Sequence, residues 1–106
     1  MAETATSDLL EKVLDTLRRS QSDLRREGIV HAAVFGSVAR RQERPDSDID
    51  LLVDVDQQAS TIDLLDIIRL ERLLSRELGR PVELTVRDRL KPAFRAGVER
   101  EAVRAY

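Results

Sequence analysis

An α+β fold in two layers, a mixed sheet of three to four strands packed by helices, is predicted by three features of this sequence. Apolar residues recur at helical and strand periods in the order helix, strand, short helix, strand, helix, strand, helix, with a possible closing strand. The connections between strands are interrupted and uneven, which favours a mixed sheet over a fully wound parallel one. At 106 residues, the chain has the length of one ordinary core, so a single domain over residues 1–106 is expected.

The first helix is expected from Ser7 to about Glu27, entered through a Thr or Ser cap. Leu9, Leu10, Val13, Leu14, Leu17 and Leu24 recur at threes and fours before Gly28 ends the run. "IVHAAVF", Ile29 to Phe35, reads as a buried strand. Gly36-Ser37 breaks it, and "VARRQE" suggests one or two helical turns before the loop at Pro45. "DIDLLVDV" alternates as a second strand. The strongest helical signal runs from Thr61 to Leu78, with Thr61 as the expected cap and Gly79-Arg80-Pro81 as the stop. Its leucines and isoleucines cover too wide an arc for one narrow stripe, so the helix is either sandwiched or offers a face to a partner. "VELTV", Val82 to Val86, is the third strand, "KPAFRAGVERE" a last helix and "AVRAY" a possible closing strand.

Composition narrows the function. Without cysteine there is no disulfide, thiolate metal site or thiol nucleophile, and the lone His31 cannot build a histidine metal site. His31 is expected to be structural. All but two of the 18 basic residues are arginine, the side chain suited to forked contacts with phosphate or carboxylate. Because 20 acidic residues balance them, direct nucleic-acid binding by bulk charge is not expected. No apolar run is long enough to cross a membrane and the first residues do not resemble a signal peptide, so a cytoplasmic location is expected.

Two short motifs carry chemistry. A strand that ends in Gly36-Ser37 and enters a helix leaves backbone N–H groups pointing outward beside a hydroxyl, an arrangement that suits phosphate. Asp48 and Asp50, two apart on a strand, project from the same face. Their mutual repulsion is relieved by a cation, and an oxygen-only donor set suits Mg²⁺ or Mn²⁺. Either motif alone has an ordinary structural explanation, a capped helix or a solvated edge. Arginine at 69, 72, 76 and 80 reads as a solvated helix face, and Tyr106 as packed against the core.

Taken together, Gly-Ser, ten residues and Asp-x-Asp in "FGSVARRQERPDSDIDLLV" resemble the nucleotidyltransferase superfamily of the DNA polymerase beta type, and most closely its minimal nucleotidyltransferase domains. The resemblance continues through "GRPVELTVRDRLKP" to "REAVRAY". It implies the nucleotidyltransferase fold. It also implies that Gly36 and Ser37, with Arg40 as a further contact, hold the triphosphate of ATP, and that Asp48, Asp50 and Glu83 are the catalytic carboxylates and the ligands of two Mg²⁺ ions. Glu83 stands where relatives more often carry aspartate, and Arg41 where they often have a glycine that ends the short helix in a left-handed conformation; an arginine there either keeps that conformation at a cost of about 1 kcal/mol or lets the helix extend further toward Pro45.

The resemblance further implies AMP transfer to a hydroxyl, a tyrosine, on a partner toxin of the HEPN family, which makes the chain an antitoxin. Two alternatives stay open at this stage: modification of a small molecule such as an aminoglycoside, and neutralisation of a partner by contact alone.

Overall fold

The computed structural model describes residues 8–56 and 62–106. Helix α1 (Leu9–Arg19) leads into α2 (Gln21–Arg26), strand β1 (Ile29–Phe35), the single turn α3 (Gly36–Ala39) and β2 (Ile49–Val55). Helix α4 (Leu64–Leu78), strand β3 (Val82–Val86), a 3₁₀ turn at Arg87–Arg89, α5 (Pro92–Glu101) and β4 (Val103–Arg104) complete the chain. The strands form one mixed sheet in the order β3-β2-β1-β4. β1 runs antiparallel to both β2 and β4, while β2 and β3 are parallel.

One expected helix is two. Between Leu17 and Leu24 the chain offers no apolar residue to hold a continuous helix on the core. It turns at Ser20, and α2 then buries Leu24. The cap of α1 is Asp8, whose carboxylate accepts from the Leu10 N–H, rather than a Thr or Ser. Ser7, the expected start, lies outside the described residues. So does Thr61, the expected cap of α4. That role falls to Asp63, which forms a reciprocal capping box with Asp66. At the other end Gly79 closes α4 in the left-handed conformation, as the sequence predicts.

Period two divides the sheet into two faces. Ala32 and Val34, Ile49, Leu51 and Val53, and Val82, Leu84 and Val86 join Leu10, Val13, Leu14 and Leu17 of α1, Leu24 of α2 and Ile67, Leu70, Leu74 and Leu78 of α4 in one core. The opposite face carries His31, Ala33 and Phe35 beside Asp54, Leu52 and Asp50, with Glu83 next to Asp50. Helix α5 buries none of its own side chains and reaches this second face through charged ones. Tyr106 packs into the core as expected. Its hydroxyl donates to the Ile29 carbonyl at 3.0 Å, burial pushes its pKa up to about 12, and the Arg25 guanidinium lies over its ring.

Strand β3 lies at the edge of the sheet, and α4 satisfies its outward backbone donors. The Val82 N–H donates to Ser75 Oγ at 2.9 Å and the Leu84 N–H to Glu71 Oε2 at 2.8 Å. Side chains thereby replace the missing neighbouring strand. Among the described residues, no helix is long and apolar enough to cross a membrane.

Candidate active site

Three strands and one turn meet at the site. In the register of the sheet Phe35 faces Asp50, and Asp50 faces Glu83. The end of β1, the start of β2 and the second residue of β3 therefore present neighbouring positions on one face. The parallel pairing of β2 with β3 brings Glu83 beside Asp50 across a sequence gap that no local pattern bridges.

Asp50 is the most perturbed acid there. Burial first, and then the charges of Glu83 and Asp48, a hydrogen bond with Glu83 and the charge of Glu101, push its pKa up to about 6. Asp50 thus sits among like charges that disfavour its ionised form. Asp48 lies just before the strand rather than in it, because β2 begins at Ile49, whose N–H donates to the Pro81 carbonyl at 2.9 Å.

Gly36 faces this cluster directly. Its φ is +76°, and a Cβ built on it would lie 2.5 Å from Asp50 Oδ2. Glycine is thus required twice, by the left-handed backbone and by the carboxylate packed against it. Ser37 follows as the second residue of α3. Arg41 ends the turn at φ 57°, the left-handed conformation in which relatives are expected to use glycine. Ion pairs to Asp8 at 2.6 Å and Glu11 at 3.4 Å hold it there.

Arg40 points into the same region, but it already has a partner. Its Nη1 donates to Glu101 Oε1 at 2.8 Å, and the other oxygen of that carboxylate accepts from the Gly36 N–H at 2.8 Å. Sequence reasoning missed Glu101. A signal was present, since an acidic residue at the last position of a helix opposes the helix dipole and so asks for another reason to be there.

It also missed Arg80, read as a solvated arginine. Arg80 Nη1 donates to the carbonyls of Arg44 at 2.8 Å and Ser47 at 3.1 Å. The loop it grips closes on itself through the Ser47 N–H to the Arg44 carbonyl and the Arg44 N–H to Ser47 Oγ. The residue after that loop is Asp48. Arg80→Ala is expected to loosen the approach to Asp48, lowering turnover by about tenfold while costing roughly 1 kcal/mol of stability. Steady-state rates beside thermal melts separate the two effects.

Farther along the same face a cavity of ≈ 370 Å³ is lined by residues that include His31, Asp54, Arg87, Glu99 and Arg104. His31 Nδ1 lies 3.4 Å from Asp54 Oδ2, and Arg87 bridges Asp54 and Glu99 at 2.8 and 2.6 Å.

A model of the nucleotidyltransferase domain family matches residues 10–105. The chain belongs to this family. As a nucleotidyltransferase it is an enzyme, and the face with Gly36, Asp50 and Glu83 carries the Gly-Ser and Asp-x-Asp motifs through which the sequence resembles the family. Over 95 residues, 89% of this chain and 93% of the relative, the nucleotidyltransferase is 38% identical to the protein adenylyltransferase MntA of Thermococcus cleftensis. Among solved structures it is similar to a protein assigned as a minimal nucleotidyltransferase, with a TM-score of 0.73 and 39% identity over 92% of this chain and 96% of the other. A toxin–antitoxin complex with AMP-PNP matches at a TM-score of 0.67 and 22% identity, covering 84% of this chain and 72% of the other. An MntA-HepT toxin–antitoxin structure matches at 0.65 and 18%, covering 91% and 71%. These last two likenesses concern the fold alone.

Proposed function

We propose that this nucleotidyltransferase transfers AMP from ATP to a hydroxyl, a tyrosine, on a toxin of the HEPN family, and so acts as that toxin's antitoxin. The observation that carries the reading is the packing of Gly36 against Asp50, with Glu83 beside it in register. It sets a backbone donor for phosphate within reach of an acidic cluster short of cations. Support for AMP and for a protein acceptor comes from the adenylyltransferase name of the 38% identical relative, and for the toxin from the MntA-HepT complexes of the same fold.

In this reading Gly36, Ser37 and Arg40 bind the triphosphate. Asp48, Asp50 and Glu83 hold Mg²⁺, in a pair of ions, and the donor set fits that role. It is all oxygen, it repels itself, and in Asp50 it carries a carboxylate whose ionised form awaits a cation. Among the described residues no three acidic or histidine side chains already converge as a finished metal site. Bound there, Mg²⁺ supplies Lewis-acid polarisation of the α-phosphate and neutralises the leaving pyrophosphate.

The chain's own residues do the rest. Arg40 and the Gly36 N–H hold phosphate oxygens in place, and the Asp50 and Glu83 carboxylates face the acceptor hydroxyl. The hydroxyl oxygen forms its bond to the α-phosphorus as the bond from that phosphorus to the bridging oxygen breaks. Pyrophosphate leaves and the hydroxyl proton passes to Glu83.

Incubation with α-labelled ATP, Mg²⁺ and the neighbouring toxin tests this. Label is expected on the toxin, together with loss of toxicity, and neither should occur when Asp48→Ala and Asp50→Ala are combined. Neutralisation that survives the double substitution, with no label on the toxin, would instead establish inhibition by contact.

A further inference from the structure

We infer that Glu101 is a placeholder for the substrate's phosphate: its carboxylate occupies the anion position formed by the Gly36 N–H and Arg40, and it is exchanged for a nucleotide phosphate on binding. The inference rests on the nucleotide reading above and adds a positioning residue to it.

Three observations carry it. First, the two oxygens of a single carboxylate take one donor each, from Gly36 N and Arg40 Nη1, both at 2.8 Å. Two donors converging on one forked anion is the geometry in which a phosphate is also held, and a phosphate that takes the Gly36 N–H together with the same edge of Arg40 must displace the Glu101 oxygens from them. Second, Glu101 is the wrong charge to stay. Its field reaches Asp50, which already stands near Glu83 and Asp48. Arrival of a polyphosphate would place another anion against the same group. Cations that accompany the nucleotide would relieve the acidic residues, but they offer no second guanidinium to replace Arg40.

Third, little packing resists the exchange. Helix α5 has no buried side chain, and the Glu101 side chain is partly open to solvent at 28%. Behind it the chain leaves the helix at Ala102 in an extended conformation, and β4 is pinned to Ala33 and Val34 of β1. The backbone therefore stays while the carboxylate swings away. Until then Glu101 keeps Arg40 aimed at the site and Gly36 in its left-handed conformation, which a bare cluster of carboxylates would not do. Its role is to position Arg40 and the Gly36 N–H. It takes no part in bond making.

The probe is AMP-PNP with Mg²⁺, titrated calorimetrically into the full chain. Glu101→Ala is expected to bind it about five- to tenfold more tightly than wild type, because a competing charge-assisted contact is gone. In an Arg40→Ala background the same substitution should change affinity by less than about twofold, since the contest is for Arg40. A supporting contact of the ordinary kind gives the opposite sign, weaker binding whatever stands at position 40.

Equal or weaker binding by a folded Glu101→Ala, or a gain undiminished without Arg40, overturns the placeholder. Where circular dichroism shows that Glu101→Ala does not fold, the nearly isosteric Glu101→Gln carries the test with a smaller gain. Wild-type chain that binds no AMP-PNP is a different failure, since it removes the nucleotide reading itself.

Discussion

Asp50→Asn is expected to abolish nucleotidyl transfer and at the same time to make the metal-free protein more stable at pH 7. The two effects have one cause. In the folded chain Asp50 is partly buried and faces Glu83, Asp48 and Glu101, so its carboxylate is held in an environment that disfavours charge. In the proposed reading it is kept there because a cation would repay the cost on binding. An asparagine removes the repulsion but cannot replace an anionic ligand, so turnover should fall by at least about a thousandfold, equivalent to roughly 4 kcal/mol of transition-state stabilisation.

The pH dependence follows from the direction of the shift. The folded value of about 6 lies above the ordinary 3.8, so the folded chain holds this proton more tightly than the unfolded chain does. Wild-type stability is therefore unpenalised below the unfolded value, and the penalty grows as pH rises through the interval from 3.8 to about 6. Chemical denaturation of the two proteins from pH 4 to pH 7 should show nearly equal stabilities at the acidic end and a gap in favour of Asp50→Asn at the neutral end. Mg²⁺ should narrow that gap by stabilising only the wild type. A gap that does not change with pH would mean that Asp50 is not held in the strained state described.

Gly36→Ala should be the most damaging small substitution in the chain. A non-glycine residue in the left-handed region costs roughly 1–2 kcal/mol, and the added Cβ would lie 2.5 Å from Asp50 Oδ2. Something must move, and the side chain that can move is a catalytic candidate. Stability is expected to drop by about 2 kcal/mol, and activity by a further hundredfold or more, because displacement by about an ångström suffices for such a loss. The two contributions separate in an Asp50→Ala background, where the collision is gone and only the backbone cost remains. Equal destabilisation in both backgrounds would show that the collision with Asp50 contributes nothing.

The Gly-Ser and Asp-x-Asp parts of the candidate site were legible in the sequence because they are local, whereas Glu83 was assigned through the family resemblance. Strands Ile29–Phe35 and Val82–Val86 emerge with the ends that hydropathy gives them, and the residues of the Gly-Ser and Asp-x-Asp motifs lie within one hairpin-like excursion. Of the two outcomes left open at Arg41, the structure takes the left-handed one rather than a longer helix. What stayed hidden depends on contacts between distant segments. Glu101 reaches Gly36 from 65 residues away, and Arg80 finds its carbonyls 36 and 33 residues back. A charged side chain looks the same in a sequence whether it faces water or a backbone carbonyl. The break at Ser20 and the cap at Asp63 were missed for another reason, that helix periodicity tolerates a gap or an extra turn which packing then resolves.

The contacts of Ser75 and Glu71 with the rim of β3 have a consequence for how the enzyme is assembled. Parallel pairing between β2 and β3 can form only after the whole of α4 has been brought round, and a strand of five residues could settle one step out of phase. Such a slip would point Glu83 into the oily interior and turn Leu84 toward the substrate. The two side chains of α4 favour the correct phase, because in it the Val82 and Leu84 N–H groups meet their acceptors, Ser75 Oγ and Glu71 Oε2. In the proposed reading, a chain with Glu83 misplaced would fold and yet lack one of its three site carboxylates. The residues that disfavour this error, Ser75 and Glu71, lie on α4, away from the face that carries Gly36, Asp50 and Glu83.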